Sequence, residues 1–111
     1  MNKSRFEFDQ VFKPESLQTE VFENVKPFVT SFLDGYNVCI FAYGQTGSGK
    51  TFTMEGPPDN RGVNLRSLGE LFSLQKEREE EMEYEFVLSY LEVLCVLPLL
   101  FECFCYHVLS K

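Results

Sequence analysis

Tryptophan is absent from these 111 residues, and histidine occurs once, at His107. Positive charge is scarce as well. Ten Lys and Arg stand against seventeen Asp and Glu, a net charge of −7. That balance excludes the whole-domain basic footprint by which a protein holds nucleic acid. Cysteine is limited to Cys39, Cys95, Cys103 and Cys105. The opening run, Met1 to Gln10, is polar and charged, so no secretory signal is expected there. A cytoplasmic setting with reduced thiols is the expectation. Cys103-x-Cys105-x-His107 invites a zinc reading, but the spacing is not that of common zinc knuckles and nothing fixes a fourth ligand. A plain apolar tail is expected instead. Internal repeats and low-complexity linkers are missing too.

Phenylalanine is abundant. Twelve Phe bring the aromatic share to 15%. Rings of that size need burial, which argues against a disordered chain and for one small domain with one core. The acid is concentrated in Glu77, Glu79, Glu80, Glu81, Glu83 and Glu85. This run reads as a solvated helix end followed by an exposed strand face.

Along the chain, Arg5 to Phe12 reads as a short strand or extended segment, with Phe6 and Phe8 alternating with Glu7 and Asp9. Lys13-Pro14-Glu15 predicts a turn, and Ser16 a helix N-cap. Val21, Phe22, Val25, Phe28, Val29, Phe32 and Leu33 then recur on one face of a 3.6-residue period. Pro27 should kink or weaken that helix. Asp34-Gly35 should end it, with Gly35 in the left-handed conformation. Val38 to Tyr43 is a continuous apolar run, as in a central parallel strand covered on both faces. A glycine-rich loop follows at once, with a helix start at about Lys50. Glu55 to Gly62 predicts a loop. Helical spacing resumes with Leu65, Leu68, Leu71 and Phe72, to about Glu80. Met82 to Val93 alternates as a strand, with Met82, Tyr84, Phe86, Leu88 and Tyr90 on one face. The order predicts an α/β domain with a partial parallel or mixed sheet and flanking helices.

Gly44-Gln45-Thr46-Gly47-Ser48-Gly49-Lys50-Thr51 matches the phosphate-loop pattern G-x-x-x-x-G-K-[ST]. The glycines let several backbone N–H groups point into one concavity, where they and the following helix start can hold phosphate oxygens. Lys50 adds a full charge near the β- and γ-phosphates. The Thr51 hydroxyl suits a magnesium ion that bridges the same phosphates.

Residues Asn37 to Gly56, which include this loop, resemble the phosphate loop and flanks of kinesin motor domains almost letter for letter. Phe8-Asp9-Gln10-Val11-Phe12, the Gln18 to Phe22 helix start and Leu33-Asp34-Gly35-Tyr36-Asn37 are also similar to kinesins. So are Arg61-Gly62-Val63-Asn64 and Ser89-Tyr90-Leu91-Glu92-Val93. The details are most similar to C-terminal-motor, minus-end-directed kinesins of plants. The resemblance implies a phosphate-loop NTPase fold, ATP and Mg²⁺ as ligands, microtubules (tubulin) as partner, and a cytoskeletal location. It also places Phe52 where the family sets a ring beside adenine. An ordinary core-facing helix residue is the rival reading of Phe52.

The resemblance covers residues 5 to 93, so residues 1–93 are expected to form part of a motor domain and 94–111 a divergent apolar tail. Within these residues there is no N-x-x-S-S-R-S-H-like run and no D-x-A-G-S-E-like run, the family's two γ-phosphate sensors. No catalytic residue is therefore assigned, and the phosphate loop at most binds. The alternative is a truncated, non-catalytic product with no motor activity. Phe86 to Leu109 is apolar enough to suggest a membrane span, but Glu92, Pro98 and Glu102 interrupt it and no span is expected. Three candidate strands leave sheet edges and apolar surface bare, which predicts marginal stability or self-association.

Overall fold

The computed structural model describes residues 4–88, with the backbone alone at 88, 102–104 and 106–110. Among the described residues, three helices and four strands form in the order α1 (Gln18–Leu33), β1 (Ile40–Ala42), α2 (Lys50–Met54), α3 (Val63–Glu77), β2 (Tyr84–Leu88), β3 (Glu102–Phe104) and β4 (Tyr106–Ser110).

α1 buries Gln18, Phe22, Val29, Phe32 and Leu33. Phe22, Val29, Phe32 and Leu33 are buried as expected, Val21 and Val25 are half-buried, and Phe28, expected on the same face, is exposed. Leu17, not Ser16, is the N-cap. Its N–H donates to Glu20 Oε2 at 2.9 Å. Ser16 Oγ instead accepts from the Lys13 N–H at 3.1 Å, which closes the preceding turn. The helix runs through Pro27 as a single element. Pro27 and Glu23, whose carbonyl Pro27 cannot serve, both lie on the exposed side. The end of α1 is a Schellman closure. Gly35, at φ +93°, donates to the Phe32 carbonyl, and Tyr36 donates to that of Ser31.

α3 turns a different face inward from the one its leucines suggest. Val63, Asn64, Ser67 and Leu71 are buried, while Leu65 and Phe72 are exposed. The face is set by what α1 offers. Val29, Phe32 and Leu33 form one cluster with Leu71 and Tyr84, flanked by Val25, Val38, Leu74 and Phe86. Burying one such aliphatic side chain stabilises a fold by about 1.5–3 kcal/mol. Phe72 packs its ring edge-on against Phe86, with centroids 5.5 Å apart. Two ion pairs lie at the margins of this unit. Lys26 Nζ meets Glu70 Oε1 at 3.2 Å, and Arg78 Nη1 meets Asp34 Oδ1 at 2.7 Å. The hydrogen bond to Glu70 raises the Lys26 pKa above its usual value. Asp34, and then Tyr84, do the same for Arg78.

The sheet departs from expectation. Among the described residues there are two two-stranded sheets, β1 with β3 and β2 with β4. Both pairings are antiparallel, with Phe41 opposite Cys103 and Phe86 opposite Val108. The expected parallel or mixed pairing is not among them. Strand edges carry backbone donors and acceptors that need partners. Here the apolar segment near the C-terminus supplies those partners, by running back against each strand in turn. The segment expected as a divergent apolar tail contains β3 and β4. Arg5 to Phe12 forms no described strand and bends at Asp9. The expected continuation of β2 to Val93 lies outside the described residues. So do the side chains of Cys95, Cys103, Cys105 and His107. No helix among the described residues is long and apolar enough to cross a membrane.

Candidate functional site

The apolar run ends as β1 at Ala42, and the chain enters the glycine-rich loop two residues later. A turn closes first, with the Ser48 N–H donating to the Gln45 carbonyl at 3.1 Å. Gly47 and Gly49 then take φ of +80° and +92°. Side-chain-bearing residues rarely adopt those angles, so the two glycines are what permit the reversal. Gly44 leaves room for the Ser48 side chain, which would have to turn away from a larger residue. A Cβ at that position would lie 2.5 Å from Ser48 Oγ. The loop then passes directly into α2 at Lys50.

Lys50 is the buried residue of the loop, 8% exposed. Its Nζ donates to the carbonyls of Gly44 and Gln45, each at 2.9 Å. An ammonium carries three donors, so one remains after these two bonds. The geometry draws the charge across the mouth of its own loop, from the last glycine back to the first. Gln45, Thr46, Gly47, Ser48, Gly49 and Thr51 are exposed around it. The Phe52 ring is 53% exposed. It is therefore not part of the core, against the rival reading of that residue as core-facing. All nine residues expected to contact a nucleotide thus lie on one short loop-and-helix segment. An open, glycine-lined loop around one buried ammonium fits a polyphosphate, and the adjoining Thr51 hydroxyl fits a hard cation such as Mg²⁺.

Sequence patterns missed three buried polar residues nearby. Gln18 donates through Nε2 to the Phe52 carbonyl at 2.5 Å, tying the start of α1 to α2. Asn64 and Ser67 line an apolar cavity of about 40 Å³ with Phe28, Phe32, Met54 and Leu68. Asn64 Nδ2 and Ser67 Oγ are buried there without hydrogen-bond partners among the described residues. A signal was available in each case. Gln18 sits four residues before Phe22, and Asn64 and Ser67 precede Leu71 by seven and four. All three fall on the buried stripe of their helix.

Comparison with known families matches the kinesin motor domain over residues 1–96, so the match ends close to Val93. The kinesin-like protein KIN-14S of Arabidopsis thaliana is 61% identical over 92 residues, covering 83% of this chain and 12% of that protein. KIN-14R of Oryza sativa subsp. japonica is 63% identical over 92 residues, covering 83% of this chain and 9% of the relative. KIN-14Q of Arabidopsis thaliana is 59% identical over 91 residues, covering 82% and 8%. The chain therefore spans roughly a tenth of the length of these relatives. All three are plant proteins, in keeping with the branch suggested by the sequence. Family membership implies the phosphate-loop NTPase fold. With a glycine loop of this geometry inside a match that takes in nearly the whole chain, the protein belongs to the kinesin motor domain family.

Proposed function

We propose that Gly44 to Thr51 bind the phosphates of ATP, and that the chain supplies the nucleotide-binding part of a microtubule-directed kinesin motor. One observation carries this reading. The Lys50 ammonium is buried inside a loop whose two positive-φ glycines leave the surrounding backbone open. Lys50 pairs with the β- and γ-phosphates by exchanging its carbonyl partners for phosphate oxygens. The Thr51 hydroxyl holds Mg²⁺, and Phe52 flanks the adenine. Mg²⁺, held by the Thr51 hydroxyl, would supply charge neutralisation to the nucleotide's phosphates. No residue of this chain is assigned a catalytic role. ATP-driven movement along microtubules, and a cytoplasmic, microtubule-associated location, enter at the level of the family. The alternative, a product with no motor activity, is not favoured by a family match that runs to residue 96.

The test is a titration of the purified chain with a fluorescent ATP analogue and Mg²⁺. Wild type should bind, and Lys50→Ala should bind roughly ten- to a hundredfold more weakly, the usual worth of a charged hydrogen bond. Absence of binding by the folded wild-type chain at millimolar nucleotide would overturn the proposal.

A further inference from the structure

α2 has five residues. Helices that short do not persist without tertiary support. Its carbonyls reveal where the support enters. The Thr51 carbonyl accepts from both the Glu55 and Gly56 N–H groups, at 2.8 and 3.1 Å. In a regular helix the Gly56 N–H would serve Phe52. It is spent on Thr51, and Phe52 turns to Gln18 Nε2, donated from a residue 34 positions earlier. Gln18 is 4% exposed, the most deeply buried polar residue described. A buried amide is costly unless bonded, so this contact is where that side chain is satisfied.

The other end of α1 is held firmly. Its Val29, Phe32 and Leu33 belong to the core cluster with Leu71 and Tyr84, and Lys26 pairs with Glu70 on α3. Gln18 therefore ties α2 to the helix that carries this cluster. We propose that Gln18 is a positioning residue for the phosphate loop, capping α2 through the Phe52 carbonyl and so setting the direction in which Lys50, Thr51 and Phe52 leave the loop. The role presupposes that the loop binds ATP. Loss of the cap frees α2 to swing or unwind, and the Lys50 ammonium loses its fixed place relative to the phosphates.

Gln18→Met keeps the length and the burial but removes the donor, and Gln18→Asn keeps the amide but withdraws it by one methylene. Both should weaken Mg²⁺-dependent binding of a fluorescent ATP analogue on the order of tenfold, the lower range for groups that orient a binding residue. Both should also speed hydrogen exchange at the Thr53 and Glu55 amides, measured without nucleotide, while amides in the middle of α1 and α3 keep their wild-type rates. Phe22→Leu is the control. It loosens the same buried stripe and should lower the thermal midpoint while nucleotide affinity stays at the wild-type value. Wild-type affinity in both Gln18 variants would overturn the positioning role. So would unchanged exchange at Thr53 and Glu55, or affinity losses in all three variants that scale with their lost thermal midpoints. A wild-type chain that binds no nucleotide would instead overturn the function proposed for the loop, and the positioning role with it.

Discussion

The α1–α3 pair and the β1–loop segment are built on opposite plans. In the helical pair, Leu33 is 2% exposed and Leu71 is 6%, and both belong to one cluster. In the strand and loop, Phe41 is 61% exposed and Tyr43 is 71%. The first region is apolar because it is packed. The second is apolar although its outer face is bare. Helix pairs bury a stripe against each other and are complete with two members, whereas a central strand needs covering layers on both faces. A short stretch of a motor-domain sequence can satisfy the first requirement without satisfying the second.

The contrast can be broken by mutation. Leu33→Ala should cost the most, about 2–5 kcal/mol, because it opens a cavity at the centre of the cluster. Chemical denaturation should show the loss as a lower midpoint, and a loss under about 1 kcal/mol would mean that the helical pair is not the stable half. Asn64→Leu acts in the same region with the opposite sign. It removes an unpartnered buried amide and fills apolar space beside Met54 and Leu71, so stability should rise by about 1 kcal/mol. A drop in the melting midpoint would mean that the amide has a partner when the chain is in solution. Phe41→Thr should change stability least, within about 0.5 kcal/mol, since the ring is exposed and threonine suits a strand. Its effect should appear in light scattering, as reduced self-association. Unaltered scattering would show that the bare face of β1 is not the adhesive surface.

Much of the helical half was legible in the residues. The spacing of Val21, Phe22, Val25, Phe28, Val29, Phe32 and Leu33 predicts the helix and most of its buried face, Phe28 being the exposed exception, and Asp34-Gly35 predicts its end. The loop was legible for a similar reason. Gly47 and Gly49 sit where only glycine tolerates the backbone angles, so the chemistry of the turn is written in the residue types. Other features were not legible. Leu65, Leu68, Leu71 and Phe72 suggested one face of α3; Leu71 is buried on it, but Leu65 and Phe72 are exposed, and Val63, Asn64 and Ser67 are buried instead. Ser16 had the chemistry of a cap but was drawn into the turn with Lys13, and the Glu20 carboxylate served the helix start in its place. Strand pairing was not legible either: the pairs among the described residues are antiparallel, where a parallel or mixed sheet was expected. An apolar strand sequence carries no mark of its neighbour or of the direction that neighbour runs.

Sequence alone determined that the loop from Gly44 to Thr51 would be a glycine-permitted reversal with a lysine at its exit. Local backbone sterics decide that, and they act over a few residues. Only the tertiary structure decided that Lys50 lies buried against the carbonyls of Gly44 and Gln45, that Gln18 closes α2 from 34 residues away, and that β1 pairs antiparallel with Glu102–Phe104. Those outcomes depend on which unsatisfied donors and acceptors meet in space, and distance along the chain does not disclose that.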